Sequence, residues 1–151
     1  MMNLEIVQAV NKDIKEILLM MKDFYEFENI PFNENNLTKL LNEILLSNNQ
    51  KGYIFKFTTN NIILGYSIVT IGFSLEYQGN YFLIDELYIK PDYRNKGIAS
   101  KFLEFIKNFA FTKNIHYILL EVDDFNKNAY NLYLKNGFVD KKRNLLRCNI
   151  F

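Results

Sequence analysis

At 151 residues, with 49% hydrophobic and 16% aromatic side chains, the chain can bury a substantial core, and its composition argues against disorder. Eighteen basic and 17 acidic residues leave a formal charge of +1, too even to give the electrostatic footprint of nonspecific nucleic-acid binding. No run nears the ~18 apolar residues of a membrane span, and a single cysteine, Cys148, forbids an internal disulfide.

The length is that of one domain, expected to span residues 1–151. The start, Met1-Met2-Asn3-Leu4-Glu5, has no cationic segment of the secretory kind, and the lone cysteine fits a reducing compartment. A cytoplasmic location is expected.

In chain order, residues 4–9 alternate as a first strand. Asn11 is placed to cap a helix from Lys12 onward, in which Ile14, Ile17, Leu18, Met21, Phe24 and Tyr25 recur at helical spacing. Pro31 interrupts the chain, and Leu37, Leu40, Leu41, Ile44 and Leu45 form a second helical stripe. Residues 52–58, 62–73 and 81–89 are rich in Ile, Tyr, Phe and Thr and predict three strands. Asn60-Asn61 marks a hairpin turn between the first two, and Gln78-Gly79-Asn80 a turn between the second two.

Next comes a helix over residues 98–113, with Ile98, Phe102, Leu103, Ile106, Phe109 and Ala110 on one face, and then an apolar strand over 116–122. Residues 127–135 predict a short helix ended by Asn136-Gly137 in a left-handed cap. Two final strands are expected at 138–139 and 145–150, with Cys148 as a packed thiol in the second. The order β-α-α-β-β-β-α-β-α-β-β implies a mixed α/β sheet with helices on its faces.

Two segments carry chemistry. Arg94-Asn95-Lys96-Gly97-Ile98-Ala99 joins a strand to a helix start, where unpaired N–H groups and the positive end of the helix dipole suit a phosphate or pyrophosphate. Gly97 permits close backbone approach, Ala99 keeps the helix near the strand, and Arg94 and Lys96 add charge. Taken alone, the loop also reads as an ordinary strand-to-helix turn with two solvated cations. The second segment runs from Asn126 to Phe138, and there Ala129, Leu132 and Tyr133 share a helix face. Asn126 doubles as a candidate helix cap.

Together these segments resemble the GNAT superfamily of acetyl-CoA-dependent N-acetyltransferases. Residues 94–99 match its R/Q-x-x-G-x-G/A loop, with Ala99 where glycine is commoner. Asn126, Ala129, Leu132, Tyr133, Lys135, Gly137 and Phe138 match N-x-x-A-x-x-L-Y-x-K-x-G-F. The resemblance covers nearly the whole chain and implies a mixed, mostly antiparallel sheet whose one parallel pair, strands 81–89 and 116–122, splays into a cleft.

It also implies acetyl-CoA as co-substrate. Backbone groups of Leu87 and Ile89 would pair with pantetheine, and the N–H of Leu87 or Tyr88 would polarise the thioester carbonyl. Amides from Asn95 through Lys96, Gly97, Ile98 and Ala99 to Ser100 would hold the pyrophosphate, beside Arg94. Asn126 would contact pantetheine within the motif that includes Ala129, and Tyr133 would return a proton to the leaving thiolate.

Asp85 and Glu86 are the candidate general bases, with Glu86 favoured for its longer arm; each is alternatively a salt-bridge partner or surface charge. Strand alternation would separate them, and a bulge would reunite them. The acceptor is expected to be the primary amine of a small molecule. A protein lysine or N-terminal amine, and a non-catalytic acyl-CoA-binding role, are the alternatives. Glu76, Asp85, Glu86, Asp123 and Asp124 either collect acidic charge for a cationic amine or are scattered strand-end charges. Residues 23–28 and the loop through Pro31 are where the family builds its acceptor wall. His116 reads as structural, no spacing suggests a metal site, no membrane partner is expected, and the resemblance allows a homodimer.

Overall fold

The computed structural model describes residues 2–151, which form two compact units, the first running to Glu121 and the second from Val122 to Phe151. The first contains β1 (Glu5–Gln8), a 3-10 turn at Asn11–Asp13, α1 (Ile14–Phe27), α2 (Glu34–Leu46), β2 (Gly52–Thr59), β3 (Ile62–Ser74) and β4 (Gly79–Ile89). It continues through a 3-10 turn at Pro91–Tyr93, α3 (Ile98–Thr112) and β5 (Ile118–Leu120). The second unit contains α4 (Lys127–Lys135).

The five strands lie in the order β1-β2-β3-β4-β5, antiparallel except for the parallel β4–β5 pair. The meander arises because β2, β3 and β4 are joined by short turns. Asn60 and Asn61 have φ of 48° and 64°, the paired left-handed geometry that a two-residue hairpin needs and that asparagine tolerates. Between β3 and β4 the left-handed residue is Gln78, and its N–H donates to the Leu75 carbonyl at 3.1 Å.

Alternation along β2 sorts the core into two layers. Ile54 faces one way and packs with Ile14, Ile17, Leu18, Met20 and Met21 of α1 and Leu41 of α2. Phe55 and Phe57 face the other way and meet α3, with ring centroids 5.1 Å from Phe55 to Phe105 and 5.2 Å from Phe57 to Phe102. Tyr53 and Phe109 extend this aromatic layer at 4.9 Å. Helices thus flank both faces of the sheet.

The expected elements need four corrections. Asn11 does not cap the first helix; the Val10 N–H instead donates to Asp13 Oδ2 at 2.8 Å, and α1 begins at Ile14. Asp13 is favoured because its other oxygen accepts from Lys56 Nζ of β2 at 2.9 Å, tying the helix start to the sheet. The Asn11 side chain donates to Asn42 instead, at 3.4 Å. The fifth strand is three residues rather than seven, because β4 offers it only Phe82, Leu83 and Ile84 as partners.

At the C-terminus no strand forms at 138–139 or 145–150. Apolar alternation predicts a strand only if a neighbour accepts its backbone hydrogen bonds, and the second unit contains no other strand. Leu145, Leu146 and Ile150 are accordingly exposed, and so is Cys148, which is not a packed thiol.

Candidate active site

The site grows from an irregularity in β4. Ile68 of β3 opposes Glu86 while its neighbour Val69 opposes Ile84, so Asp85 is an extra residue and β4 bulges there. The buried Ser67 hydroxyl donates to the Glu86 carbonyl at 2.8 Å across the bulge. Two consecutive side chains that regular pleating would send apart both line one cavity of about 380 Å³, together with Tyr25, Leu37, Leu41 and Ile44.

The Glu86 carboxylate is held at both oxygens. Tyr66 of β3 donates to Oε1 at 2.8 Å and Tyr25 of α1 donates to Oε2 at 3.0 Å. Burial raises the Glu86 pKa above the ordinary glutamate value, and the two phenols pull it back only in part. Desolvation likewise raises the Asp85 carboxyl, although by surface area that residue is exposed. The carboxylate in turn pushes both phenols well above their usual pKa, after burial has done most of the work. Tyr25 and Tyr66 therefore stay protonated and donate across the physiological range.

Beyond the bulge β4 has no β5 partner. Parallel pairing with β5 stops at Ile84, and the Phe82 N–H donates to the Tyr117 carbonyl at 3.0 Å just before it. At the far end the Lys90 N–H donates to the Leu64 carbonyl of β3 at 2.9 Å. Backbone groups alternate sides along a strand, so Tyr88 also turns toward β3, while Leu87 and Ile89 turn to the edge that β5 leaves. The Ile89 carbonyl there accepts from Arg94 Nε at 2.8 Å.

The loop after β4 carries the expected phosphate motif. Asn95 and Gly97 are both left-handed, with φ of 58° and 78°, and Gly97 is the residue before α3. A Cβ built on Gly97 meets nothing within 4 Å, so it would project into open space. The Lys101 N–H makes the first bond back to the Gly97 carbonyl at 3.0 Å, leaving the N–H groups of Ile98 and Ala99 without an acceptor in the helix. Ile98 is fully buried and anchors the turn. The cationic side chains turn back on the protein: Arg94 lies 5.5 Å over the Tyr88 ring, and Lys96 lies 5.3 Å over the Tyr93 ring.

In the second unit Asn126 Oδ1 accepts the Ala129 N–H at 3.2 Å and caps α4, which leaves its Nδ2 outside the cap. At the other end Phe138 N–H donates to the Tyr133 carbonyl and Gly137 N–H to the Leu134 carbonyl, at 3.0 and 3.1 Å. With Gly137 at φ 88°, this is the left-handed cap that Asn136-Gly137 predicts. Tyr133 packs edge-on against Phe138 at 5.8 Å, and burial raises its phenol pKa.

Asp85 and Glu86 are thus brought to one cavity, and Leu87 and Ile89 to the edge of β4 that β5 does not pair. Asn95, Lys96, Gly97, Ile98, Ala99 and Ser100 lie in one strand-to-helix turn. Glu76 falls in the β3–β4 turn and does not line the cavity, and Asp123 and Asp124 fall in the second unit. Sequence reasoning missed the two phenols as partners of Glu86. Tyr25 lies within the expected acceptor wall, whereas Tyr66 reads only as a core residue of β3. A larger, shallower groove of about 480 Å³ along α1 is bridged by a Lys90–Glu16 ion pair at 3.0 Å and lies apart from these carboxylates. Among the described residues no cluster of three His, Cys, Asp or Glu could hold a metal ion, and no helix is long and apolar enough to cross a membrane.

Comparison with known proteins gives the same picture. The chain is 32% identical to a thialysine N-epsilon-acetyltransferase of Bos taurus over 52% of its own length and 45% of that protein's, somewhat less than half of the bovine enzyme. It is 25% identical to the Mus musculus enzyme of the same name over 93% of this chain and 86% of that one. A predicted acetyltransferase of Clostridium acetobutylicum, solved with acetyl-CoA, superposes with a TM-score of 0.80 at 25% identity, covering 97% of this chain and 96% of the other. Residues 17–138 match the model of the acetyltransferase (GNAT) family, and the chain belongs to that family.

Proposed function

We propose that residues 1–151 act as one N-acetyltransferase domain that transfers the acetyl group of acetyl-CoA directly to the primary amine of a small molecule. The observation that carries this reading is the Glu86 carboxylate, held by two phenols in a cavity at the point where β4 loses its β5 partner. The names of the bovine and mouse relatives support an amine as acceptor.

A free alkylamine of pKa ~10.4 is protonated at neutral pH, and neutralising it costs about 4–5 kcal/mol. Glu86 takes that proton, directly or through a water, and its raised pKa brings it closer to the amine's own. The nitrogen lone pair attacks the thioester carbonyl and the C–N bond forms; as the C–S bond breaks, the nitrogen sheds its second proton, which replaces the one that the thiolate receives. Of the two candidate donors to the oxyanion, the Leu87 N–H is preferred, since Tyr88 turns toward β3; such a donor supplies ~3 kcal/mol. The pyrophosphate rests on the amides around Gly97, which requires the Arg94 side chain to exchange its Ile89 contact for the ligand or to stay as a wall. Tyr133, kept protonated by burial, returns a proton to the thiolate.

Release of free CoA thiol from acetyl-CoA, followed against a panel of amines and lysine peptides, tests the reading. Thiol release with small amines is expected. Release with peptides alone would move the assignment to a protein acetyltransferase. Tight CoA binding without any product would make the chain an acyl-CoA-binding module.

A further inference from the structure

Ser67 of β3 is fully buried, and a hydroxyl taken from water without a partner costs free energy. Its neighbours Tyr66 and Ile68 belong to the layer that packs on α1, so strand alternation turns Ser67 to the opposite face. There its partner on β2 is Phe55, whose ring meets Phe105 of α3. From this aromatic side of the sheet the hydroxyl donates to the Glu86 carbonyl at 2.8 Å. The phenols hold the Glu86 carboxylate on the other side, so side chain and backbone of one residue are gripped from opposite faces.

The Glu86 carbonyl belongs to the same peptide unit as the Leu87 N–H, and a planar trans peptide points the two in opposite directions. A carbonyl drawn toward β3 therefore turns the Leu87 N–H to the edge of β4 that β5 does not pair. The bond from the Lys90 N–H to the Leu64 carbonyl sets the phase of the ladder, in which Glu86 exchanges bonds with Ile68. That exchange takes one lone pair of the Glu86 oxygen, and Ser67 takes the second. The extra residue at Asp85 breaks the regular ladder on the preceding side, so the added bond falls where the strand is least constrained.

We infer that Ser67 is a positioning residue for acetyl transfer: its hydroxyl fixes the Glu86–Leu87 peptide so that the Leu87 N–H stays aimed at the thioester carbonyl. The inference rests on the transfer reading above, with Leu87 as the donor to the oxyanion. Ser67 acts through the peptide, and no proton moves at its hydroxyl. Its donation polarises the peptide and makes the N–H at the other end a stronger donor. As the amine attacks and charge gathers on the thioester oxygen, the N–H has no need to reorient, which is the source of an oxyanion donor's effect.

Ser67→Ala removes the hydroxyl without adding bulk, and urea unfolding checks that the variant is folded. With the amine that the parent chain acetylates fastest, kcat is expected to fall about tenfold, a share of the 10²–10³ that a whole oxyanion donor supplies. The KM for the amine and the affinity for CoA should stay as in the parent. The acid limb of the pH–rate profile should also stay in place, because the Glu86 carboxylate keeps both phenols. Infrared difference spectra of bound acetyl-CoA, labelled with carbon-13 at the thioester carbonyl, read the donor directly. The carbonyl stretch is expected below its free frequency in the parent and to move back up in Ser67→Ala. Ser67→Thr keeps the hydroxyl in a residue that strands favour, and should hold kcat and the stretch nearer the parent than the alanine variant does. A parent-like kcat in Ser67→Ala, a lower kcat with the stretch unmoved, or a threonine variant no better than alanine would overturn the positioning role and leave acetyl transfer intact. No thiol release from the parent with any amine would remove the transfer reading, and this inference with it.

Discussion

The Tyr66 hydroxyl stands 2.8 Å from Glu86 Oε1 although the residues are twenty positions apart, because the bulge at Asp85 swings Glu86 back over its β3 neighbour. Tyr66 is fully buried and Glu86 half-buried, so the contact combines a desolvated charge with a donor that cannot leave. A hydrogen bond to a charged group contributes about 1.5–3 kcal/mol. Tyr66→Phe removes that donor without changing the ring packing. The carboxylate loses stabilisation, its pKa rises further, and the rising acid limb of the pH–rate profile moves to higher pH. Tyr25→Phe acts in the same direction from α1. A profile that stays in place in both variants would detach the phenols from the reaction.

Glu86→Gln keeps the shape and one phenol donor, while the other phenol must turn to accept from the amide nitrogen, and the amide cannot accept a proton. A general base contributes 10²–10⁴-fold, and kcat is expected to fall within that range with little change in CoA affinity. The acid limb set by Glu86 should vanish. Asp85→Asn is expected to have the smaller effect, since Asp85 is the exposed member of the pair. A larger loss in Asp85→Asn, measured in the same thiol assay, would reverse their roles.

How far these features could be read from the chain depends on the range of the contacts that make them. Gly97 and the apolar face beginning at Ile98 are local, so the strand-to-helix turn and α3 were legible, as were Asn60-Asn61 and the Lys127–Lys135 helix. The bulge is not local: nothing in Ile84-Asp85-Glu86-Leu87 says which residue β3 will skip. Tyr25 and Glu86 lie 61 positions apart and meet only after α1 has packed on the sheet. The short β5 follows from where β4 stops offering partners, which no pattern within residues 116–122 encodes. Leu145 to Ile150 show the opposite failure, where a strand-like pattern has no strand to pair with in its own unit.

Asp13 ties the start of α1 to β2, with Lys56 Nζ at 2.9 Å, and both side chains are largely buried. Burial works to raise its pKa, but the Val10 N–H and Lys56 outweigh it, and the carboxyl titrates below the usual aspartate value. The stability this gives is present in full above the unfolded pKa and is lost as pH falls through the lower folded value. Asp13→Ala leaves the ammonium of Lys56 buried without its partner, at an expected cost of about 3 kcal/mol. Urea unfolding at neutral pH measures it, and the variant should lose less than the parent on acidification. A loss under about 0.5 kcal/mol would mean that water takes the place of the carboxylate.

Gly97→Ala separates two demands on the turn before α3. The φ of 78° costs a residue with a Cβ roughly 1–2 kcal/mol, and no protein atom lies within 4 Å to add a clash. Stability should therefore fall by about that amount whether or not the loop binds anything. Affinity for CoA is a separate readout, because the added methyl projects into the open space that the pyrophosphate is proposed to fill. Calorimetric titration with CoA is expected to show weaker binding in Gly97→Ala and none in Gly97→Val, whose branched side chain fills more of that space. Full affinity in the valine variant would place the diphosphate elsewhere on the chain.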